Sequence, residues 1–376
     1  MRAVRVLRLD DSSIAKGVIV NQLKKYGAEE RFFTEAAQFD KMSLARVISQ
    51  YKGLYRIVTE QSKGLAEVSG RFRFEASSLL AYPAVGDFVM VDRADLQSGN
   101  AIIHQVLSRK SAFMRAAVGV SNEAQLVAAN IDFVFICMAL NNDYNLNRLE
   151  RYLSIAWDSG ATPVVVLTKS DLCDDLAEIL IEISSVAVGV DVVTTSSLDK
   201  ESYQQLFHYI KPGLTASFIG SSGVGKSTLI NLLAGKELLA TSHIRQDDKG
   251  CHTTTRRDLL LLPQGGIVID TPGMRELGVE SADLSKSFAD IEELVLQCKF
   301  NDCTHITEPG CAVQQAIADG ELDARRFENY KKLQKEARYD GLSSKQIETE
   351  KINAMFGGTA EMKRIRDYAK QKNKRR

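Results

Sequence analysis

A β-barrel of short strands, then an α/β domain on a parallel sheet, then a helical region carrying clustered cysteines: this is the multidomain fold that the 376-residue sequence predicts. Three patterns predict it. Between Leu44 and about Leu107, short β-type runs are punctuated by glycine; from Ile131 strand-like and helix-like segments alternate; and Cys298, Cys303 and Cys311 crowd around His305. The length and a hydrophobic content of 44% suffice for two or three packed cores.

Residues 1–40 form an N-terminal extension, polar and irregular, with a short helix expected near Ile14 to Tyr26 and no motif. Residues 41–110 hold five strand-like runs, Arg46 to Ser49, Leu54 to Thr59, Leu65 to Phe74, Asp87 to Asp92 and Ala101 to Val106. Five short strands at this spacing predict a small closed barrel of the OB kind.

Residues 111–278 then change period. Strands are expected at Ile131 to Ala139, Thr162 to Thr168, Asp191 to Thr195 and Leu214 to Ile219, alternating with helices at Asn147 to Ser159, Asp175 to Val186 and Tyr203 to Ile210. Such alternation builds a parallel sheet covered by helices. A helix from Ser227 to Leu233 and two strands, Leu259 to Leu262 and Gly266 to Asp270, complete this domain, and the sheet is expected to end there. Residues 279–340 are helical, from Ala282 through the cysteine cluster to a helix over Leu322 to Arg338, and residues 341–376 are a basic tail.

The 48 basic and 48 acidic side chains cancel, but residues 361–376 carry eight Lys/Arg against Glu361 and Asp367, leaving the remainder of the chain net acidic. No apolar run approaches the roughly 18 to 20 residues that span a bilayer. The longest, Phe133 to Leu140, reads as a buried strand, and Met1 to Arg5 leads into no secretory signal. A cytoplasmic monomer with no membrane partner is expected. Cys137, Cys173 and Cys251 stand apart from the cluster, so no evenly spread disulfide framework is indicated.

Gly220-Ser221-Ser222-Gly223-Val224-Gly225-Lys226-Ser227, followed by Thr228, lies between an apolar strand and an amphipathic helix. Its pattern is that of a phosphate-binding loop. Glycines let backbone N–H groups converge on phosphates, the helix N-terminus adds positive potential, Lys226 reaches the β and γ oxygens, and Ser227 ligates Mg²⁺. Thr168-Lys169-Ser170-Asp171 specifies the base: a carboxylate at a strand end can accept both N–H donors of the guanine edge, and adenine offers a mismatched pattern. The Lys169 stem can lie along the base. Thr168 stands where many guanine-binding proteins have Asn, so one polar contact is expected to be shorter or lost. Ser196 and Ser197 are placed to present a backbone N–H to the guanine carbonyl, or form a plain turn.

Asp270-Thr271-Pro272-Gly273 follows a strand; Asp270 can hold an Mg²⁺-bound water and the Gly273 N–H can meet the γ-phosphate. Met274 occupies the position of a water-orienting Gln and cannot orient water. The candidate replacement is His252, before Thr253-Thr254-Thr255, with Thr255 the expected metal contact. These parts occur in an unusual order: the base-reading segment precedes the phosphate loop. The nucleotide domain therefore reads as circularly permuted.

Cys298, Cys303, His305 and Cys311 supply three thiolates and an imidazole within 14 residues. They complete a tetrahedron with no open position, the signature of one structural Zn²⁺. Tyr51, Lys52, Tyr55, Arg71, Phe72 and Arg73 offer basic and aromatic side chains on or beside the barrel strands for RNA. The tail bases Lys363, Arg364, Arg366, Lys370, Lys372, Lys374, Arg375 and Arg376 suit phosphate binding or simply solubilise the chain.

The permuted order, GSSGVGKST, HTTTR, DTPGM and CKFNDCTHITEPGCAV together closely resemble the ribosome small-subunit-dependent GTPase A family, over about residues 40 to 340. The resemblance implies an OB barrel, a GTPase domain and a zinc domain. It further implies GTP hydrolysis stimulated by the small ribosomal subunit and its rRNA, a role in late subunit maturation, and alignment of the hydrolytic water by His252. Two alternatives stay open from the residues alone: a nucleotide-gated RNA-binding scaffold, and a GTPase acting on another structured RNA such as tRNA.

Overall fold

The computed structural model describes residues 22–115, 125–141, 143–239, 257–270 and 284–338, with 346, 349, 363 and 364 of the tail. A short helix, α1 (Glu30–Ala36), precedes five strands: β1 (Ser43–Gln50), β2 (Tyr55–Thr59), β3 (Lys63–Val68), β4 (Phe88–Val91) and β5 (Ala101–Val106). They close as β1-β2-β3-β5-β4-β1, antiparallel except for β3 against β5. Val47, Ile57, Ala66, Val89, Val91 and Ile103 fill the barrel. β1 is buried on both faces, because its other side packs Leu44 and Ile48 into the main core with Phe32 of α1 and Phe88. The Phe32 and Phe88 rings lie 3.9 Å apart.

The third barrel strand is shorter than Leu65 to Phe74. It ends at Val68, and Gly70–Glu75 is a helix, α2, whose N-cap Ser69 accepts the Phe72 N–H at 3.0 Å. That cap satisfies a donor that the strand would have left to a neighbour. Phe74 stands 92% exposed on the helix's outer side. Of the helix expected over Ile14 to Tyr26, residues 14–21 lie outside the described residues.

Between the barrel and the α/β domain runs an antiparallel ribbon, β6 (Ala112–Arg115) with β7 (Gln125–Ala129), where no strand was expected. The α/β domain comprises β8 (Phe133–Ala139), α3 (Leu146–Asp158), β9 (Thr162–Thr168), α4 (Leu176–Val186), β10 (Asp191–Thr194), α5 (Lys200–Gln204), β11 (Thr215–Ile219), α6 (Lys226–Ala234), β12 (Asp258–Leu261) and β13 (Ile267–Asp270). The helix expected over Tyr203 to Ile210 begins earlier, because Asp199 caps it through the Glu201 N–H, and it tightens to a 3₁₀ turn from Gln205.

Spatially the strands run β10-β9-β8-β11-β13-β12, all parallel but β12. Moving β8 to β10 behind β13 in the chain would put β11 and its loop first, which is the permutation seen in the motif order. Among the described residues no strand follows Asp270, and at its β12 edge the sheet continues into the barrel. Ser49 of β1 pairs with Asp258 of β12, joining the barrel and the nucleotide sheet into eleven continuous strands.

Arg46 of β1 secures the same junction. It is 1% exposed, donates to the Tyr26, Gly86 and Asn130 carbonyls and to the Thr215 hydroxyl at 2.5–3.3 Å, and lies over the Phe88 ring. Burial lowers its pKa to about 10, against the opposing charges of Asp132 and Asp87.

Helices α7 (Ala289–Leu296), α8 (Ala312–Asp319) and α9 (Ala324–Arg338) follow, around Phe288, Ile291, Val313, Phe327 and Tyr330. They dock on α3. Arg326 reaches Glu150 at 2.7 Å and Asp290 at 2.8 Å, donates to the Ser287 carbonyl and stacks on Phe288, while Asn329 donates to Glu150. Arg151 pairs with Glu336 beside them. The expected helical start at Ala282 lies outside the described residues. Among the described residues, no helix is long and apolar enough to cross a membrane.

Candidate nucleotide and metal sites

β11 is buried along its whole length, so the chain leaves the sheet at Gly220 as a loop at the strand's carboxyl end. A side chain at Gly220 is excluded: φ is +144°, and a Cβ would stand 2.4 Å from the Cys137 carbonyl oxygen. Gly225, at φ +100°, begins α6 without a side-chain cap. The first-turn N–H groups of α6 therefore face the loop, and the helix dipole favours an anion there. Lys226 Nζ spans the loop, donating to the Gly220 carbonyl at 2.8 Å and the Ser221 carbonyl at 2.6 Å. Ser227 is half-buried in the first turn; Ser222, Gly223 and Thr228 are exposed. The Ser221 hydroxyl bonds the Asp143 carboxylate, which Arg148 balances at 2.9 Å.

The base-reading segment meets this loop through Thr168. Its hydroxyl donates to the Val224 carbonyl at 2.6 Å, so the residue standing in place of Asn ties strand β9 to the phosphate loop. Lys169 follows in a left-handed conformation, φ +57°. Ser170 N–H bonds the Thr195 carbonyl at 3.2 Å, and Asp171 accepts the Ser196 hydroxyl at 2.5 Å. Ser196 orients Asp171 by its side chain; its backbone N–H is taken by the Ser202 hydroxyl at 2.9 Å. That leaves Ser197 on the cleft and not Ser196 as the backbone candidate. Thr168, Lys169, Thr195, Ser197, Gly225 and Leu232 line a cleft of about 90 Å³ between the two motifs.

Asp270 ends β13, beside β11. Burial lifts its carboxyl to about 6; the Lys226 charge opposes the rise and the Asp258 charge adds to it. A desolvated carboxylate within reach of Lys226, next to a loop shaped by positive-φ glycines, fits a divalent cation bound with a phosphate. His252, Thr255 and Gly273 lie outside the described residues.

The Cys₃His donor atoms all lie within 4.8 Å of one another. Cys298 and Cys311 sulfurs are 3.9 Å apart, and each is 3.5 Å from His305 Nδ1. A tetrahedron with Zn–S near 2.3 Å and Zn–N near 2.05 Å has edges of about 3.8 Å and 3.6 Å. The donors therefore fit a metal ion of that size. His305 takes φ +58° to turn its ring inward, and Cys311 caps α8 through the Gln314 N–H. Burial pushes the Cys298 thiol up, but the N–H groups of Val313 and Ala312 and the neighbouring thiols outweigh it, and the net shift is downward.

The barrel candidates separate. Tyr55 is 4% exposed in the barrel core, and Phe72 packs edge-on against Tyr82. Arg71 pairs with Glu75 at 2.7 Å. Lys52 and Arg73 are exposed, and Tyr51 is half-buried. The sequence patterns missed Asp143, whose carboxylate reaches the loop residue Ser221 from a distant segment.

The family model described as RsgA GTPase matches residues 106–280. The Small ribosomal subunit biogenesis GTPase RsgA 2 of Lactiplantibacillus plantarum is 48% identical over 345 residues, 92% of this chain and 97% of that protein. RsgA 1 of Listeria innocua is 48% identical over 320 residues, 84% of this chain and 90% of its own. Among solved structures, YjeQ from Thermotoga maritima superposes with a TM-score of 0.59 at 27% identity, covering 79% of this chain and 98% of its own. YloQ, described as a circularly permuted GTPase, is similar in fold, with a TM-score of 0.55 over 80% of this chain and 96% of its own.

Proposed function

The chain belongs to the RsgA GTPase family and is a GTP-hydrolysing enzyme, and from that premise we propose that it binds the small ribosomal subunit, assists its late maturation and leaves after subunit-stimulated hydrolysis. The observation that carries this reading is the near full-length match to relatives named for small-subunit biogenesis, in a chain whose two nucleotide motifs converge on one cleft. It acts as a monomer in the cytoplasm.

In this reading Gly220, Ser221, Ser222, Gly223, Val224 and Gly225 wrap the phosphates with backbone N–H groups, and Lys226 exchanges its loop carbonyls for β and γ oxygens. Asp171, oriented by Ser196, accepts the guanine N–H donors; Lys169 covers the base, and Thr168 keeps that segment in register with the loop. Ser227, Thr255 and Asp270 would hold Mg²⁺, which would supply charge neutralisation for the transferred phosphoryl group, and the Gly273 N–H would meet the γ-phosphate. His252 accepts a proton from, or orients, the attacking water. Met274 offers no polar group for that task, so slow turnover by the free enzyme is expected.

The Cys₃His cluster holds one structural Zn²⁺, which keeps the loop between α7 and α8 folded. The barrel, through Lys52, Arg73 and neighbouring residues, and the zinc module supply the rRNA contacts. GTP turnover measured with and without purified small subunits tests the proposal. Strong stimulation lost in His252→Ala is expected; equal rates with and without subunits would overturn it.

A further inference from the structure

β1 touches the nucleotide sheet at two places. Arg46 bonds the hydroxyl of Thr215, the first residue of the strand that feeds the phosphate loop, and three residues later Ser49 bonds Asp258. A register shift between Val47 and Ser49 against β2 re-aims Ser49 toward the nucleotide domain. Such bulges turn a side chain without ending the strand. Ser49 is 2% exposed, pairs with Asp258 through the backbone, and its hydroxyl bonds the Asp258 carboxylate and lies 3.5 Å from the Arg257 carbonyl oxygen.

Asp258 in turn stands directly opposite Asp270 on the antiparallel β12–β13 pair. Directly opposed side chains project from the same face, and like charges in that arrangement repel. A cation at Asp270 removes that repulsion, and the Ser49 hydroxyl fixes which way Asp258 faces when it does so. One residue beyond Gln50, β1 turns through Tyr51 to Leu54, closed by the Tyr51 N–H on the Leu54 carbonyl at 2.8 Å, with Lys52 exposed at its tip.

We infer that Asp258, held by Ser49 at the junction of barrel and nucleotide sheet, is a positioning residue for the magnesium–nucleotide site, and that through it the barrel and that site bias each other. This rests on the reading of Asp270 as a magnesium group and of the barrel as an RNA contact. A second carboxylate beside a metal-holding carboxylate adds negative potential at the site and so adds to its affinity for a cation. Coupling of this kind is reciprocal: whatever RNA does to the Ser49–Asp258 junction, magnesium–nucleotide occupancy does to RNA affinity by the same factor.

The experiment is a Mg²⁺ titration of fluorescent GDP binding to the full-length wild type, Ser49→Ala, Asp258→Asn and the double variant, repeated in EDTA. Asp258→Asn is expected to raise the Mg²⁺ half-saturation about tenfold. Ser49→Ala should move it in the same direction by less, and the double variant should be no worse than Asp258→Asn, with binding in EDTA unchanged throughout. Superimposable Mg²⁺ titrations, or equal losses with and without Mg²⁺, would overturn the inference. In parallel, the ratio of small-subunit affinities with a non-hydrolysable GTP analogue and with GDP should shrink in the same order. A wild type that fails to bind subunits would sink the ribosomal reading and leave the Mg²⁺ titration to decide the role of Asp258; a ratio unchanged in both variants would overturn the coupling to the barrel.

Discussion

At the residue scale, single atoms decide the nucleotide site. Gly220 has no room for a Cβ, which would meet the Cys137 carbonyl oxygen at 2.4 Å at a φ that only glycine adopts without strain. Gly220→Ala should therefore distort the loop at a cost of about 1–3 kcal/mol, read as an about fivefold or greater loss of GDP affinity in a protein that still unfolds cooperatively. Asp171→Asn should lose discrimination of guanine from hypoxanthine and adenine nucleotides, measured by competition; unchanged discrimination would refute its role. Asp270 carries a pH consequence. Its carboxyl titrates near 6 in the free protein, raised by burial, so as pH falls through that value the site gains a proton that a cation must expel. Mg²⁺-dependent GDP affinity should be flat above about pH 7 and fall by up to tenfold per unit below about 6, and Asp270→Asn should remove the dependence.

At the element scale, helix α3 anchors the C-terminal module. Glu150 and Arg326 side chains are 1% and 6% exposed, so removing one partner leaves a buried charge. Arg326→Ala should cost about 3–5 kcal/mol in urea unfolding. The Cys₃His loop is expected to depend on a metal in the same way: one Zn²⁺ per chain should be found by atomic absorption, and chelation should lower the melting temperature of the module around α8. Strands β8, β9 and β11 and helix α3 were legible in the sequence because their apolar period is long and unbroken. α2 was not, because Arg71-Phe72-Arg73-Phe74 alternates like a strand while the Ser69 cap and an exposed Phe74 make it a helix. The ribbon of β6 and β7 lacks any such period, and its two strands are four and five residues long. The contiguous motifs announced the phosphate loop and the Cys₃His cluster. Asp143 and the Ser49–Asp258 contact escaped, since each forms only after segments far apart in sequence have been brought together.

At the scale of the whole molecule, the permuted order puts the C-terminal module directly after the strand that ends at Asp270 in the chain. That module is pinned to α3 by Arg326, and the barrel is joined to β12 by Ser49 and to β11 by Arg46. Barrel, nucleotide domain and zinc module share one continuous packed core, in which Phe88, Ile136 and Phe327 are all buried. Nucleotide state is therefore expected to act through short-range changes at these junctions, and the zinc module should keep its orientation on α3 with either nucleotide. A pair of spin labels on α3 and α9 should report one distance with GDP and with a GTP analogue on the subunit. An enzyme switched on by the small ribosomal subunit should, in single-turnover GTP hydrolysis with saturating purified small subunits, show a rate far above that of the free enzyme, and that rate should collapse in His252→Ala; a rate indifferent to the subunit would rule the switch out.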